Sequence, residues 1–255
     1  MSAPLIDLSQ KRVLITGGSR GVGAATARLL AGAGARVAIT YRTRRDEAEA
    51  VAAECRELAG GAWAAPCDLA RPERINALLD LVNDNFGALD ILVVNAGVWP
   101  PEHVEVGALD DERWCETIEI NLTSVFRLVR ATVTHMRDNG RIVLVSSTAG
   151  QRGEAGHADY AASKGGMISF SKSVAVEMAP RGITVNCVAP GWIDTEMVEG
   201  ALDEVNRERA EREIPLGRIA TPEDVAGPIA FLCSDLARHV TGEVLNVNGG
   251  SVMPG

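Results

Sequence analysis

Arg12-Val13-Leu14-Ile15-Thr16-Gly17-Gly18-Ser19-Arg20-Gly21-Val22-Gly23, continued by AATARLLAGAG at 24–34, decides the fold of this chain. A short apolar, β-branched run leads straight into a glycine-rich turn and then into a helical stretch. Glycines in such a turn permit a tight bend and let backbone N–H groups and a helix N-terminus face a pyrophosphate. The spacing is G-x-x-x-G-x-G, not the commoner G-x-G-x-x-G, and a turn of this kind also serves as a plain strand-to-helix connection. A second glycine pair, Gly32-Ala33-Gly34, leads into a strand and reads as a helix stop.

The same alternation continues outward. Strands are expected at 12–16, 36–40, 62–66, 90–94, 141–146, 182–188 and 243–247, separated by longer amphipathic segments. Repeated β-α units of this length predict an α/β fold, a single-domain doubly wound Rossmann sheet of seven mostly parallel strands covered by helices on both faces. Ile118, Leu122, Val125, Phe126, Val129, Val133 and Met136 fall at helical spacing and predict one helix ending before Asn139-Gly140. Another is expected from Ala158 to Ala179, stopped by Pro180. The segment 196–213, mostly Glu, Asp and Arg, reads as a solvated peripheral helix or as a substrate lid.

Composition narrows the function classes. At 255 residues, 46% apolar and 23% charged, the chain suits one large α/β domain and not a disordered or fibrous protein. There are 34 acidic against 25 basic residues, so the net charge of -9 repels a phosphate backbone and argues against nucleic acid. The opening MSAPLIDLSQ lacks the basic flank and apolar run of a signal peptide, and no amphipathic anchor or long apolar run points to a membrane, so a cytoplasmic protein is expected. Cysteines and histidines are scattered without ligand spacing, which predicts reduced thiols and no metal.

Cofactor choice in such a sheet is made at the end of the second strand, where a carboxylate would take a ribose 2′-OH and a cation a 2′-phosphate. Tyr41 and Arg42 stand there, and Arg20 in the glycine turn adds a second guanidinium; NADP(H) is therefore favoured, with NAD(H) as the alternative. The other reading of Arg42, Arg44 and Arg45 is a solvated loop. Tyr160 and Lys164, four apart at the start of a helix, share one face. A cation ~4 Å from the phenol at an effective dielectric of ~20 would contribute up to roughly 4 kcal/mol, enough to bring a pKa of ~10 toward ~7, where proton transfer runs in either direction. Ser147 comes directly after the strand RIVLVS (141–146), at the C-terminal strand ends where such folds assemble sites, with Ser146 as its rival; Asn121 sits inside an apolar-striped helix, where an amide is out of place.

Taken together, these pieces are similar to the short-chain dehydrogenase/reductase family, and in pattern to its 3-oxoacyl-(acyl-carrier-protein) reductases. The resemblance is carried in order by TGGSRGVG (16–23), CDL (67–69), NAG (95–97), NLTSVF (121–126), Ser147 thirteen residues before YAASK (160–164), PGWIDT (190–195) and NVNGG (246–250). It implies that Tyr160 is the general acid/base, that Ser147 polarises the carbonyl, that Lys164 lowers the tyrosine pKa and holds the nicotinamide ribose, and that Asn121 fixes a proton-relaying water. It further implies a cofactor site made by Gly17, Ser19, Arg20, Gly21, Val22 and Gly23 at the pyrophosphate and Tyr41 and Arg42 at the ribose. Asp68 and Leu69 would face the adenine, Asn95, Ala96 and Gly97 line the cleft, and Pro190, Gly191, Ile193 and Thr195 flank the carboxamide. A homotetramer packed through the two long helices is implied as well.

Some residues depart from the family pattern. Val94 stands where Asn is usual. Of two arginines expected beside the site for an acyl carrier protein, Arg181 is present, but Asp138, next to Arg137, occupies the other position. The stretch 98–109 is longer and carries Trp99, Pro100 and Pro101. Substrate contacts are expected from Trp99, Gln151, Glu154, His157, Trp192 and the lid segment. The expected activity is reduction of an acyl-thioester ketone, with a small free ketone, sugar, steroid or secondary alcohol as the alternative substrate. Outside catalysis, the competing reading is an NADP(H)-sensing protein; retention of both Tyr160 and Lys164 speaks against it.

Overall fold

The computed structural model describes residues 5–59 and 61–253; Met1–Pro4, the first part of the opening segment, lie outside the described residues. Its strands are β1 (Arg12–Ile15), β2 (Arg36–Tyr41), β3 (Trp63–Pro66), β4 (Leu89–Val94), β5 (Met136–Val145), β6 (Thr184–Pro190) and β7 (Val244–Val247). They form one sheet in the order β3-β2-β1-β4-β5-β6-β7, and every pairing is parallel. Strand order reverses between β1 and β4, and the C-terminal crevice at such a point is where doubly wound sheets bind ligands.

The helices are α1 (Gly21–Gly32), α2 (Arg45–Ala59), α3 (Pro72–Phe86), α4 (Asp111–Ile118), α5 (Ser124–Thr132), α6 (Ala149–Arg152), α7 (Ala158–Met178), α8 (Glu204–Glu213) and α9 (Pro222–Cys233). Successive strand residues point to opposite faces, and the central strands are apolar on both. Val13, Ile15, Ile91, Val93, Val143 and Val145 pack on one side with apolar residues of α1, α2 and α9. Leu14, Leu92, Val94, Ile142 and Leu144 pack on the other with α3, α5 and α7. No helix among the described residues is long and apolar enough to cross a membrane.

Two expected elements differ. The helix expected through Met136 ends at Thr132, and residues 119–123 form a π-turn between α4 and α5. Met136 instead starts β5, paired with Leu89 ahead of a bulge. Arg181 donates to the carbonyls of Val133 and Met136, so the backbone leaves the helix with those acceptors satisfied. The segment 196–213 is not one helix: α8 begins only after Asp203, whose carboxylate accepts from the Asn206 N–H at 2.8 Å. Val198, Leu202, Ala210, Ile214 and Ile219 gather there into a small apolar cluster with Trp192, so its inner face is not solvated.

Asp159 ties α7 to α4. Its carboxylate is fully buried and accepts from Arg113 Nε at 3.0 Å and from the Thr117 hydroxyl at 2.9 Å. Burial alone would raise its pKa, but the bonds from Arg113, Thr117 and the Tyr160 backbone outweigh it and hold the carboxyl below its usual value. A depressed folded pKa means that this contribution to stability is complete above about pH 4 and is lost as pH falls through the folded value. Asp159→Asn is expected to cost about 3 kcal/mol at neutral pH, seen as a thermal midpoint roughly 6–12 °C lower, with the deficit shrinking below about pH 4.

Candidate active site

A cleft of about 650 Å³ runs along the C-terminal ends of β1, β2, β4, β5 and β6. At one end the chain turns sharply from β1 into α1. Gly17 and Gly21 hold φ of +67° and +53°, and a Cβ on Gly23 would lie 2.2 Å from the Gly17 carbonyl oxygen. Only glycine allows these conformations and this approach without strain. Arg20, at the N-cap of α1, makes no side-chain cap, so the first N–H groups of the helix are left for a ligand. Asn95 braces the turn, its amide donating to the carbonyls of Thr16 and Gly17 at 3.1 Å each. This cradle fits the pyrophosphate of a dinucleotide, and the cleft extends from it in both directions.

Gly17, Ser19, Arg20, Gly21, Val22, Tyr41, Arg42, Asp68, Leu69, Asn95, Ala96, Gly97, Pro190, Gly191, Ile193 and Thr195 all line the cleft. Gly23 stands behind it and shapes the turn. Tyr41 is buried in the core, 8% exposed, whereas Arg42 is open to solvent. Arg44 lines the same end, so this arginine is not merely part of a solvated loop. Arg20 and Arg44 both ion-pair with Glu196, the Arg44 contact at 2.8 Å.

At the opposite end Ser147, Tyr160 and Lys164 meet. The rival hydroxyl is spoken for: Ser146 is buried and donates to the Lys164 carbonyl at 2.9 Å. Ser147 reaches the cleft beside Tyr160, and its hydroxyl accepts from the Ala149 N–H at 3.1 Å. Lys164 Nζ donates to the Val145 carbonyl at 2.9 Å and lies 5.8 Å from the centre of the Tyr160 ring.

Burial pushes the Tyr160 pKa up to about 12, against the pull of the neighbouring Ser147 hydroxyl and with help from the Glu154 charge. Burial also takes Lys164 down to about 8. The expected fall of the phenol toward neutrality is therefore not present in the protein alone. The ammonium points at Val145 instead of the phenol, and desolvation of both groups dominates.

Asn121 lies in the π-turn and is fully buried. Its amide accepts from the Val98 N–H and donates to the Val98 carbonyl, both at 2.8 Å. A Cβ on Gly97 would come within 3.0 Å of Asn121 Oδ1 and 3.4 Å of Lys164 Nζ, so the loop after β4 is pinned beside the lysine. An in-register helix would not offer this position; the extra backbone residue of a π-turn does.

Of the expected substrate residues, Trp99, Glu154 and Trp192 line the cleft and Gln151 and His157 do not. Gln151 turns away to donate to Asn246 Oδ1 at 2.8 Å. His157 is buried behind Trp99, stacked on it at 4.8 Å. Glu154 accepts from Trp99 Nε1 at 3.2 Å, and Trp192 meets Trp99 edge-on at 6.0 Å. Arg152, Met197 and Val198 complete the wall. Arg152 closes α6, a single turn too short to leave a periodicity in the sequence. Arg181, by contrast, is tied to Asp138 at 2.9 Å as well as to the two carbonyls.

A family model described as enoyl-(acyl carrier protein) reductase matches residues 17–252. A crystal structure from Brucella melitensis, titled as a short-chain dehydrogenase/reductase of glucose/ribitol dehydrogenase type, superposes with a TM-score of 0.91 at 32% identity, covering 98% of this chain and 99% of that one. The chain is a short-chain dehydrogenase/reductase. This oxidoreductase is 42% identical over 251 residues to the 3-oxoacyl-(acyl-carrier-protein) reductase of Vibrio cholerae, covering 97% of this chain and 100% of the relative. The reductase of the same name from Escherichia coli K12 is 42% identical over 250 residues, again 97% and 100% covered. As a short-chain dehydrogenase/reductase it acts at the CH–OH/C=O level.

Proposed function

We propose that the protein is an NADPH-dependent reductase of 3-oxoacyl thioesters. The observation that carries this reading is that Ser147 and Tyr160 open into the same cleft as the glycine cradle and the arginine pair. Bound NADPH would supply the hydride. The hydroxyl of Ser147 and the phenol of Tyr160 hold the substrate oxygen, and Tyr160 gives it a proton. Lys164 replenishes that end of the site and holds the nicotinamide ribose, and Asn121 keeps Gly97 and Val98 packed against it. Asp68 and Leu69 take the adenine; Pro190, Gly191, Ile193 and Thr195 border the nicotinamide. The names of the full-length relatives favour the 3-oxoacyl substrate.

A phenol with a raised pKa stays protonated through neutral pH, which suits the reductive direction. Alcohol oxidation needs the phenolate, so its rate is expected to climb with pH up to about tenfold per unit above pH 7, while reduction stays level until Lys164 begins to lose its proton near about 8. Initial rates in both directions across pH 6–10 check this; an oxidation rate that is flat over the range contradicts it.

The arginines decide the cofactor. Arg44 just after β2 and Arg20 in the glycine turn put two guanidiniums at one end of the cleft, which suits a 2′-phosphate. Replacing Arg20 and Arg44 together with alanine is expected to weaken NADPH binding roughly tenfold or more and to leave NADH within about twofold. Titration of both cofactors tests it. The chain is expected to act in the cytoplasm as a homotetramer through the outer faces of α5 and α7, where Phe126 and Val176 are exposed and Phe126 meets Phe170 edge-on.

Reduction of a small free ketone is the second reading, favoured by Arg181. Its guanidinium is held by Asp138 and two backbone carbonyls, and is not free for an acidic carrier. The domain is read as a single catalytic unit, with 196–213 as its lid.

A further inference from the structure

We propose that Glu196 is a built-in counter-ion of the 2′-phosphate site, which a 2′-phosphate must displace and an unphosphorylated ribose does not, so that one residue sets part of the cofactor preference and couples it to the lid. Glu196 follows Thr195 at the start of the lid segment and reaches across the cleft to two guanidiniums that come from unrelated elements, Arg20 at the head of α1 and Arg44 just before α2. All three residues line the cleft. Arg44 is further shared with Glu47 in the first turn of α2, at 3.0 Å. The contact across the cleft is therefore the one that a ligand entering the cleft would break.

The exchange is favourable by charge and geometry. A phosphate monoester carries about -1.5 to -2 near neutrality and three acceptor oxygens, against one charge and two oxygens on the carboxylate. It is also feasible by strength. The side chains of Arg20, Arg44 and Glu196 are each between 41% and 49% exposed, so these pairs are held weakly and part easily, unlike the buried Arg113–Asp159 pair.

The consequence lies in the lid. Val198 and Leu202, two and six residues beyond Glu196, are held by the apolar cluster around Trp192, while Glu196 ties the start of the segment to the opposite lip of the cleft. A 2′-phosphate releases that end and leaves the apolar anchor in place. A cofactor without it leaves both attachments intact, and the segment stays drawn across the adenosine end.

This rests on the reading of Arg20 and Arg44 as 2′-phosphate ligands, and the test separates the two. Adenosine 2′,5′-bisphosphate and 5′-AMP are titrated by calorimetry into the full chain, into Glu196→Gln and into Glu199→Gln, which removes a neighbouring lid charge that makes no contact with either arginine. Glu196→Gln is expected to bind the bisphosphate roughly tenfold more tightly and 5′-AMP within about twofold of the parent, with Glu199→Gln unchanged. Hydrogen exchange over residues 197–202 of the parent is expected to rise with the bisphosphate and not with 5′-AMP. If the parent prefers the bisphosphate and Glu196→Gln does not bind it more tightly, or Glu199→Gln gains equally, the counter-ion role is overturned and the cofactor reading stands. If the preference appears only in Glu196→Gln, the role stands and the native NADPH preference falls. If neither protein distinguishes the two nucleotides, both fall.

Discussion

Replacing Tyr160 with phenylalanine is expected to lower kcat for carbonyl reduction by about three orders of magnitude or more while NADPH affinity stays within about threefold. The ring fills the same volume, so the cleft wall between Glu154 and Lys164 keeps its shape. What disappears is the hydroxyl that, beside Ser147, is read as giving the product oxygen its proton. A group used only in the transition state should reduce kcat and kcat/KM together. A phenylalanine variant that turns over at more than a tenth of the parent rate would mean that the proton comes from elsewhere, with water or Lys164 as the remaining donors. Solvent isotope effects on the residual rate would distinguish them.

The second large effect is expected far from the chemistry. Gly23→Ala places a methyl 2.2 Å from the Gly17 carbonyl oxygen and 2.7 Å from Asn95 Nδ2. Neither obstacle is the loose end of a flexible side chain: one is backbone and the other is held by two hydrogen bonds. α1 must swing away from β1, which breaks the Asn95 brace and misdirects the N–H groups at the head of the helix. An overpacking cost of about 3 kcal/mol is expected, a fall of roughly 6–12 °C in the thermal midpoint. Unlike Tyr160→Phe, this variant should also lose cofactor affinity, by tenfold or more, because the cradle is built from the displaced groups. A variant of unchanged stability that still binds NADPH normally would show that the turn tolerates a side chain and that the cradle is shaped otherwise. Together the two variants separate chemistry from binding.

Much of this architecture could be read before any coordinates, and the reasons differ by element. Strands were located to within a few residues at most boundaries because buried parallel strands are continuous apolar runs between glycine and polar turns. Tyr160 and Lys164 could be placed together because residues four apart share a helix face, whereas Ser147 was singled out by its place after a strand end and by the spacing that the family resemblance supplies. The helix through Met136 was overextended because its apolar period continues past the real end: Met136 is buried in both cases, against a helix neighbour in the expected form and against β4 in the observed one. Periodicity cannot see the Arg181 bonds that close the helix from 45 residues or more away.

The same limit explains the cleft wall. Gln151, Arg152, Glu154 and His157 lie close together in sequence, yet two face the cleft and two do not, since they fall on one short turn of helix, α6, and the irregular chain after it. Glu196 was expected only as part of an acidic lid; its partners, 176 residues away for Arg20, become visible only once β1, β2 and β6 end along the same edge of one sheet. The depressed tyrosine pKa failed for another reason. Sequence supplies the distance between two charges along a helix but not the desolvation of each, which here is the larger effect.

The most direct measurement is the initial rate of NADPH oxidation by the parent protein with acetoacetyl-CoA, beside NADH, a matched enoyl thioester and a panel of free cyclic, aromatic and sugar ketones. The account predicts that the 3-oxoacyl thioester is reduced fastest, that NADPH is preferred to NADH, and that Tyr160→Phe abolishes the rate. Faster reduction of the enoyl thioester, or no turnover of any ketone by a protein that binds NADPH, would contradict it.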